Sequence, residues 1–326
     1  MSVKQKRVLL TGATGFVGRA VQQRIVADAY YDLTVAVRCM VAVPSTVRAV
    51  QVADLTAHTD WSEALQGVDV VIHCAARVHV MNEISTDPLT EFRVVNVDGT
   101  VALARQMVAA GVKRFVFVSS IKVNGEGTEL GQPYTADALA NPSDPYGISK
   151  HEAEQALLAL AQETGLEVAI VRPVLVYGPG VKANFRRMMK WVKRGVPLPL
   201  GAVHNKRSLV ALDNLVDLIL TCAAHPAAVN QVFLASDGND LSTTQMLGQL
   251  GVALNKPARL LPVPMSWLNL AFILLGKRSF SRRLCGSLQV DIAKNQQLLG
   301  WAPPVSVEEA CVKRQRHIWP SRSLLA

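Results

Sequence analysis

Apolar residues recur along this chain with two periods that trade places. Short runs at Arg7 to Thr11, Leu33 to Arg38, Val50 to Ala53, Val68 to Cys74, Arg114 to Ser119 and Glu167 to Arg172 are dense in aliphatic side chains, the pattern of strands buried on both faces. Between several of them apolar positions fall at three- and four-residue intervals, as at Ala20, Val21, Ile25 and Val26, which is the period of a helix with one buried side. Such alternation predicts an α/β fold with a parallel sheet covered on both faces. From Val174 the pattern loosens, with a return to strand at Val232 to Ala235, so a single clean domain boundary is not expected.

The first strand runs straight into glycines in Thr11-Gly12-Ala13-Thr14-Gly15-Phe16-Val17-Gly18. Glycines there permit a tight turn and let backbone approach a pyrophosphate, while the helix opening at Phe16 and Val17 offers free amides to the anion. A plain glycine-rich turn is the competing reading; strand, loop and helix in this order favour a dinucleotide site. Further on, Tyr146 and Lys150 stand four residues apart, and Ser119-Ser120 closes an apolar run upstream. One helical turn brings the two side chains to one face, where an ammonium can ease the ionisation of a phenol whose ordinary pKa is about 10. Such a pair is common in helices as a solvated couple, so its context decides.

Together with Arg172-Pro173-Val174-Leu175-Val176-Tyr177-Gly178-Pro179-Gly180, these segments resemble the TGxxGxxG, YxxxK and RPxxVYGPG motifs of the extended short-chain dehydrogenase/reductase family, over nearly the whole chain. The resemblance implies a Rossmann-type doubly wound parallel sheet with a smaller C-terminal α/β substrate domain. Residues 1–173 would form the NAD(P)-binding domain with returning segments near 208–236, and 174–207 and 237–326 the substrate domain. It assigns Gly12, Gly15, Phe16, Val17 and Gly18 to the cofactor, with Asp54 and Leu55 at the adenine and Ala75 and Ala76 at the sheet edge. Asn96 would lie near the active site, with Tyr146 and Lys150 reaching the nicotinamide end. Arg38, where NAD-preferring sites carry a ribose-binding carboxylate, favours NADP through pairing with a 2′-phosphate. His73 is expected to pack, and Arg77 and His79 to face substrate.

Oxidising a secondary alcohol requires that its proton leave as the carbon gives up hydride, so a base must touch that oxygen. Tyr146 is the candidate base, Lys150 its stabilising cation and Ser120 the hydroxyl that bonds the substrate oxygen, with Ser119 as the fallback. Related dehydratases place an acidic pair after that hydroxyl; here Ile121-Lys122 follows, which disfavours elimination of water. By resemblance Asn184, Arg207 and Arg283 would contact the substrate, Arg207 at a diphosphate, and Val196 to Gly201 would receive uracil through its backbone. A UDP-sugar is therefore the expected partner. The first reading is a 4-ketoreductase or dehydrogenase of a UDP-linked N-acetylhexosamine in surface polysaccharide synthesis. The second is a UDP-glucose or UDP-N-acetylglucosamine 4-epimerase with tightly held NAD, and the third a non-catalytic NADP sensor.

With 326 residues, half of them apolar, the chain can bury a large core. Five widely spaced cysteines without a CxxC pair argue for reduced thiols rather than disulfides or a zinc site. A net charge of +9 suits a polyanionic substrate, and no basic segment interleaves with aromatics as a nucleic-acid module would. The apolar stretch Trp267 to Leu275 falls short of the about 20 residues a bilayer crossing needs. It is followed by Lys277, Arg278, Arg282 and Arg283, a combination that allows weak peripheral membrane contact; packing on its own domain is the preferred reading. The protein is expected to be cytoplasmic and, by resemblance, a homodimer.

Overall fold

Each apolar run of the first half becomes a strand. The structure is a computed structural model describing residues 5–28, 30–78, 87–181, 184–274, 276 and 284–310. In chain order its strands are β1 (Lys6–Thr11), β2 (Tyr31–Val37), β3 (Val47–Gln51), β4 (Val70–His73), β5 (Arg114–Val118), β6 (Glu167–Pro173), β7 (Leu175–Tyr177), β8 (Leu209–Ala211) and β9 (Gln231–Ala235). The helices are α1 (Phe16–Val26), α2 (Pro88–Arg93), α3 (Gly99–Ala109), α4 (Pro145–Thr164), α5 (Asn184–Arg194), α6 (Leu212–Ala224), α7 (Thr243–Ala253), α8 (Met265–Leu274) and α9 (Ala293–Leu299).

Seven strands make one parallel sheet in the order β3-β2-β1-β4-β5-β6-β9, and β7 pairs with β8 in a second, two-stranded sheet. Residues of α1 and α6 pack with Val8 and Leu10 of β1 on one face, and residues of α3 and α4 pack with Leu9 on the other. Alternate residues of one strand thus serve opposite cores, which is why the strands read as unbroken apolar runs. The strand order reverses between β1 and β4, the place where doubly wound sheets open a crevice for ligands. β3 begins three residues before the expected Val50, because exposed Arg48 interrupts its apolar run. A third cluster gathers Tyr177, Val192, Leu198, Leu247, Leu250, Leu268 and Val307 around α5, α7 and α8.

Between α2 and α3 lies a π turn, Val94–Asp98, so the two helices run on without a loop. Asp144 caps α4 by accepting from Gly147 N at 2.6 Å, Pro145 fills the first position, and Gly165 ends the helix with a left-handed φ of 75°. Across the sheet, Arg172 of β6 meets Glu154 of α4 through contacts of 2.5 to 3.2 Å and also donates to Asn124 at 3.0 Å, all within the interior. Removing one partner of such a pair strands a buried charge, so Glu154→Ala is expected to cost about 3–5 kcal/mol of unfolding free energy. Glu63→Ala, which loses only the surface pair with Arg48, should leave the urea midpoint nearly in place.

Candidate active site

The loop after β1 is shaped by what cannot fit there. Gly12 has a φ of +70°, and a Cβ on it would lie 2.6 Å from the Ala75 nitrogen, so the turns after β1 and β4 are in close contact. A Cβ on Gly18 would fall 2.1 Å from the Gly12 carbonyl oxygen, and one on Gly15 3.1 Å from it. Gly15 also caps α1 with no side-chain bond of its own, leaving the first-turn amides facing the loop. Backbone brought this close to a helix N-terminus at the sheet's switch point is a cradle for a pyrophosphate, and the residues fit a dinucleotide. Phe16 and Val17 are partly buried against the core behind it.

Beneath the cradle lies a polar chain that the sequence does not announce. Thr11 Oγ1 contacts His73 Nδ1 at 2.8 Å, His73 Nε2 contacts Thr100 Oγ1 at 3.1 Å, and Ala75 N donates to Thr11 Oγ1 at 3.3 Å. Burial, reinforced by the Lys150 charge, pushes His73 down to about 3, so the ring is neutral and acts as a spacer, as its packing role requires. Ala75 and Ala76 lie half-buried beside this chain.

Asn96 stands in the π turn, fully buried, and its amide is committed to structure. Its Oδ1 accepts from Arg77 N at 2.9 Å, while Nδ2 donates to Arg77 O at 3.1 Å and to Ser149 Oγ at 3.0 Å. Asn96 thereby clamps the loop after β4 to α4. Arg77 itself lies 3.5 Å from Glu91 and over the Phe92 ring at 5.7 Å. His79 is outside the described residues. Leu55 packs under Gly99, where a Cβ would come within 2.7 Å of it. Arg38, the basis of the NADP expectation, sits 3.2 Å from the Asp54 carboxylate, with both side chains more than three-quarters exposed. The guanidinium already has an anion beside it, which weakens the case for a 2′-phosphate.

Ser120, Tyr146 and Lys150 come together where β5 ends and α4 begins. Ser120 lies close enough to Tyr146 for its hydroxyl to pull the phenol's pKa down, and Ser120 Oγ accepts from Lys122 N at 3.2 Å. Ser119 is instead buried, with its amide on Val171 O at 2.8 Å, so it is Ser120 that faces the phenol. Burial pushes the Tyr146 hydroxyl up to about 12, against the smaller downward pull of Ser120. Burial also brings Lys150 down to about 8, with Glu154 partly restoring it. The Lys150 ammonium donates to Val118 O at 2.8 Å and lies 4.2 Å from the Phe117 ring centre. The expected coupling of ammonium to phenol is therefore not what sets the phenol here; desolvation is.

Two further links hold the trio. Lys122 bonds Asp144, the cap of α4, at 2.7 Å and also pairs with Glu126. A Cβ on Gly147 would meet Lys122 O at 2.8 Å, so the turn after Ser120 rests directly on the start of α4. The lysine that stands where dehydratases have an acid thus has a structural task.

On the substrate side, Arg207 bridges to Leu241 and Leu288, and its guanidinium donates to Gly286 O at 3.1 Å. Burial lowers its pKa, and among the described residues no carboxylate pairs with it. Asn184 begins α5, with its side chain outside the described part, and Arg283 lies outside the described residues. In the segment Val196 to Gly201, expected to meet a base through its backbone, the amides are already engaged. Val196, Leu198, Leu200 and Gly201 all spend their amides on internal bonds of 2.8 to 3.1 Å, and Pro197 and Pro199 have none, so the segment offers a base carbonyls but no N–H donor.

A glycine cradle at the switch point of a parallel sheet, with serine, tyrosine and lysine beside it, defines a Rossmann-type protein of the short-chain dehydrogenase/reductase class. The chain belongs to the NAD dependent epimerase/dehydratase family, whose profile matches residues 8–235. It is 50% identical over 305 residues to a UDP-glucose 4-epimerase of Vibrio cholerae, covering 93% of each chain. Its fold is similar to the UDP-glucuronic acid 4-epimerase of Bacillus cereus solved with NAD, at 20% identity over 96% of this chain and 98% of that one, with a TM-score of 0.76. The UDP-N-acetylglucosamine 4-epimerase of the same organism superposes with a TM-score of 0.78 at 19% identity, over 95% and 98% of the chains.

Lys150 gives this site a pH signature. Its folded value of about 8 lies below the unfolded one near 10.4, so between those limits the unfolded chain holds more protons and stability contributed through Lys150 rises with pH. In urea titrations, wild type should gain about 2 kcal/mol relative to Lys150→Met between pH 7 and pH 10. A parallel course for the two proteins would show an unshifted lysine.

Proposed function

We propose that this protein is a UDP-sugar 4-epimerase that works on UDP-glucose or UDP-N-acetylglucosamine and holds NAD through turnover. The observation that carries the reading is its likeness, along nearly the whole of both chains, to the Vibrio cholerae UDP-glucose 4-epimerase. Two features support it: the Ser120 hydroxyl acts on the Tyr146 phenol, and by resemblance Lys122 stands in the sequence where related dehydratases carry an acid. The 4-ketoreductase reading draws on the NADP preference inferred from Arg38, and the Arg38–Asp54 pair removes much of that support. NAD is accordingly preferred over NADP.

When bound, NAD supplies a reversible acceptor for the hydrogen and electron pair of the sugar C4–H bond. The remaining chemistry falls to the protein. Tyr146 takes the proton of the C4 hydroxyl as that carbon becomes a carbonyl, and returns it when the inverted alcohol forms. Ser120 donates to the same oxygen and holds it against the phenol. Lys150, one turn along α4, is assigned the task of offsetting in the reaction the burial that raises the phenol to about 12. Glu154, a further turn along, offsets part of the lowering that burial imposes on that lysine. Arg207, desolvated and without a carboxylate partner among the described residues, takes the diphosphate.

Two measurements test the reading. The purified chain should convert UDP-glucose to UDP-galactose without added cofactor, with no net change in absorbance at the reduced nicotinamide band; stoichiometric consumption of NADPH would replace the proposal with the reductase. Tyr146→Phe should lower turnover by about a hundred- to ten-thousand-fold while retaining NAD. Full activity in that variant would remove Tyr146 from the reaction.

A further inference from the structure

Helix α8 carries an apolar surface that its own core does not use. Met265, Leu268 and Phe272 form an inward stripe, Leu268 buried and the other two half-buried against the cluster of α5 and α7. Trp267, Leu270, Ile273 and Leu274 form a second stripe, and they are 72%, 58%, 46% and 78% exposed. Single exposed apolar residues are ordinary, whereas a tryptophan and three aliphatics along one side of one helix make a patch of the kind that marks a contact surface. Leu261, which leads into the helix, is half exposed as well.

In sequence the stripe lies within a stretch of one charge sign, while exposed Glu308 and Glu309 follow Val307 of the same core cluster. Between Asp240 and Asp291 the sequence contains no acidic residue and six lysines and arginines. Of these, Lys256 and Arg259 are exposed on the segment that docks against the end of α5. Leu198 N donates to Arg259 O at 2.9 Å, and a Cβ at Gly195 would lie 3.7 Å from Lys256 Nζ. Arg194 is exposed at that same end. Lys277, Arg278, Arg282 and Arg283 continue the run in sequence, outside the described residues.

We propose that α8 docks the protein on an anionic lipid bilayer, with Trp267, Leu270 and Leu274 entering the headgroup layer and Lys256, Arg259 and Arg194 facing lipid phosphates. The physical basis is that of interfacial helices, in which apolar area and cationic flanks act together and an indole sits at the boundary. A second copy on this face is the poorer occupant: a two-fold contact would bring the same acid-free cationic segment against itself. α8 lies flat in this arrangement, for no helix among the described residues is long and apolar enough to cross a membrane.

Co-sedimentation of the full chain with vesicles tests this directly. Vesicles of phosphatidylcholine and phosphatidylglycerol should bind the protein and release it at high salt, and phosphatidylcholine alone should bind it at least about tenfold more weakly. The double variant Trp267→Ser/Leu270→Ser and, separately, Lys256→Glu/Arg259→Glu should each lower binding to the mixed vesicles at least about tenfold. All the changed positions are exposed, so thermal midpoints should stay at the wild-type value; the charge variant sits outside α8 and tests the idea even if the helix variant melts early. Equal binding to both vesicle types, or binding untouched by either variant, overturns the proposal. So does light scattering that shows an oligomer dissociated by the Trp267→Ser/Leu270→Ser change.

Discussion

The buried pair between Arg172 and Glu154 ties together the pieces that carry the candidate chemistry. Arg172 belongs to β6, Glu154 to the middle of α4 one turn beyond Lys150, and Asn124, the third partner, to the turn that follows Ser120. Two ions out of water are tolerable because the guanidinium meets the carboxylate through both a terminal and an inner nitrogen and spends another on an amide. The geometry of sheet, helix and turn then depends on a directional contact that has one good arrangement. Greasy packing alone would leave α4 freer to slide along the sheet.

That arrangement sets the electrostatics of the site. Lys150 and Tyr146 are both desolvated, and desolvation moves a lysine down and a tyrosine up, favouring the neutral form of each. Glu154 and Ser120 oppose this from opposite ends of the pair. The protein thus holds a neutral phenol and a lysine close to its titration point within an apolar wall of Phe117 and Phe92.

Much of the fold was legible because the central strands are buried on both faces and write themselves as apolar runs. The tight turn after β1 was legible because glycines at 12, 15 and 18 answer a steric demand that backbone alone imposes. What stayed hidden depends on residues far apart in the chain. Asp54 lies sixteen positions from Arg38, and only the fold reveals that they meet. Nothing local distinguishes Asn96 as a clamp on Ser149, or Lys122 as the anchor of the α4 cap. Nothing local shows that Leu198 and Gly201 spend their amides on Arg259 O and Leu261 O of a distant segment. Trp267 is a similar case: an apolar helix in sequence says nothing about which of its sides finds a core.

The π turn at Val94–Asp98 makes the spacing of this region a fixed quantity. A wider turn carries one more residue than an α turn, and each residue rotates a helix by about 100°, so the faces before and after it are set out of phase. Phe92 can then lean on Tyr146 while Gly99, farther along, still presents its bare backbone to Leu55. Evolutionary lengthening or shortening, which most connecting segments absorb, would here swing one of these two faces away from its partner. The helix therefore behaves as a calibrated spacer, and its residue count is as much a part of the packing around Tyr146 and Leu55 as any side chain there.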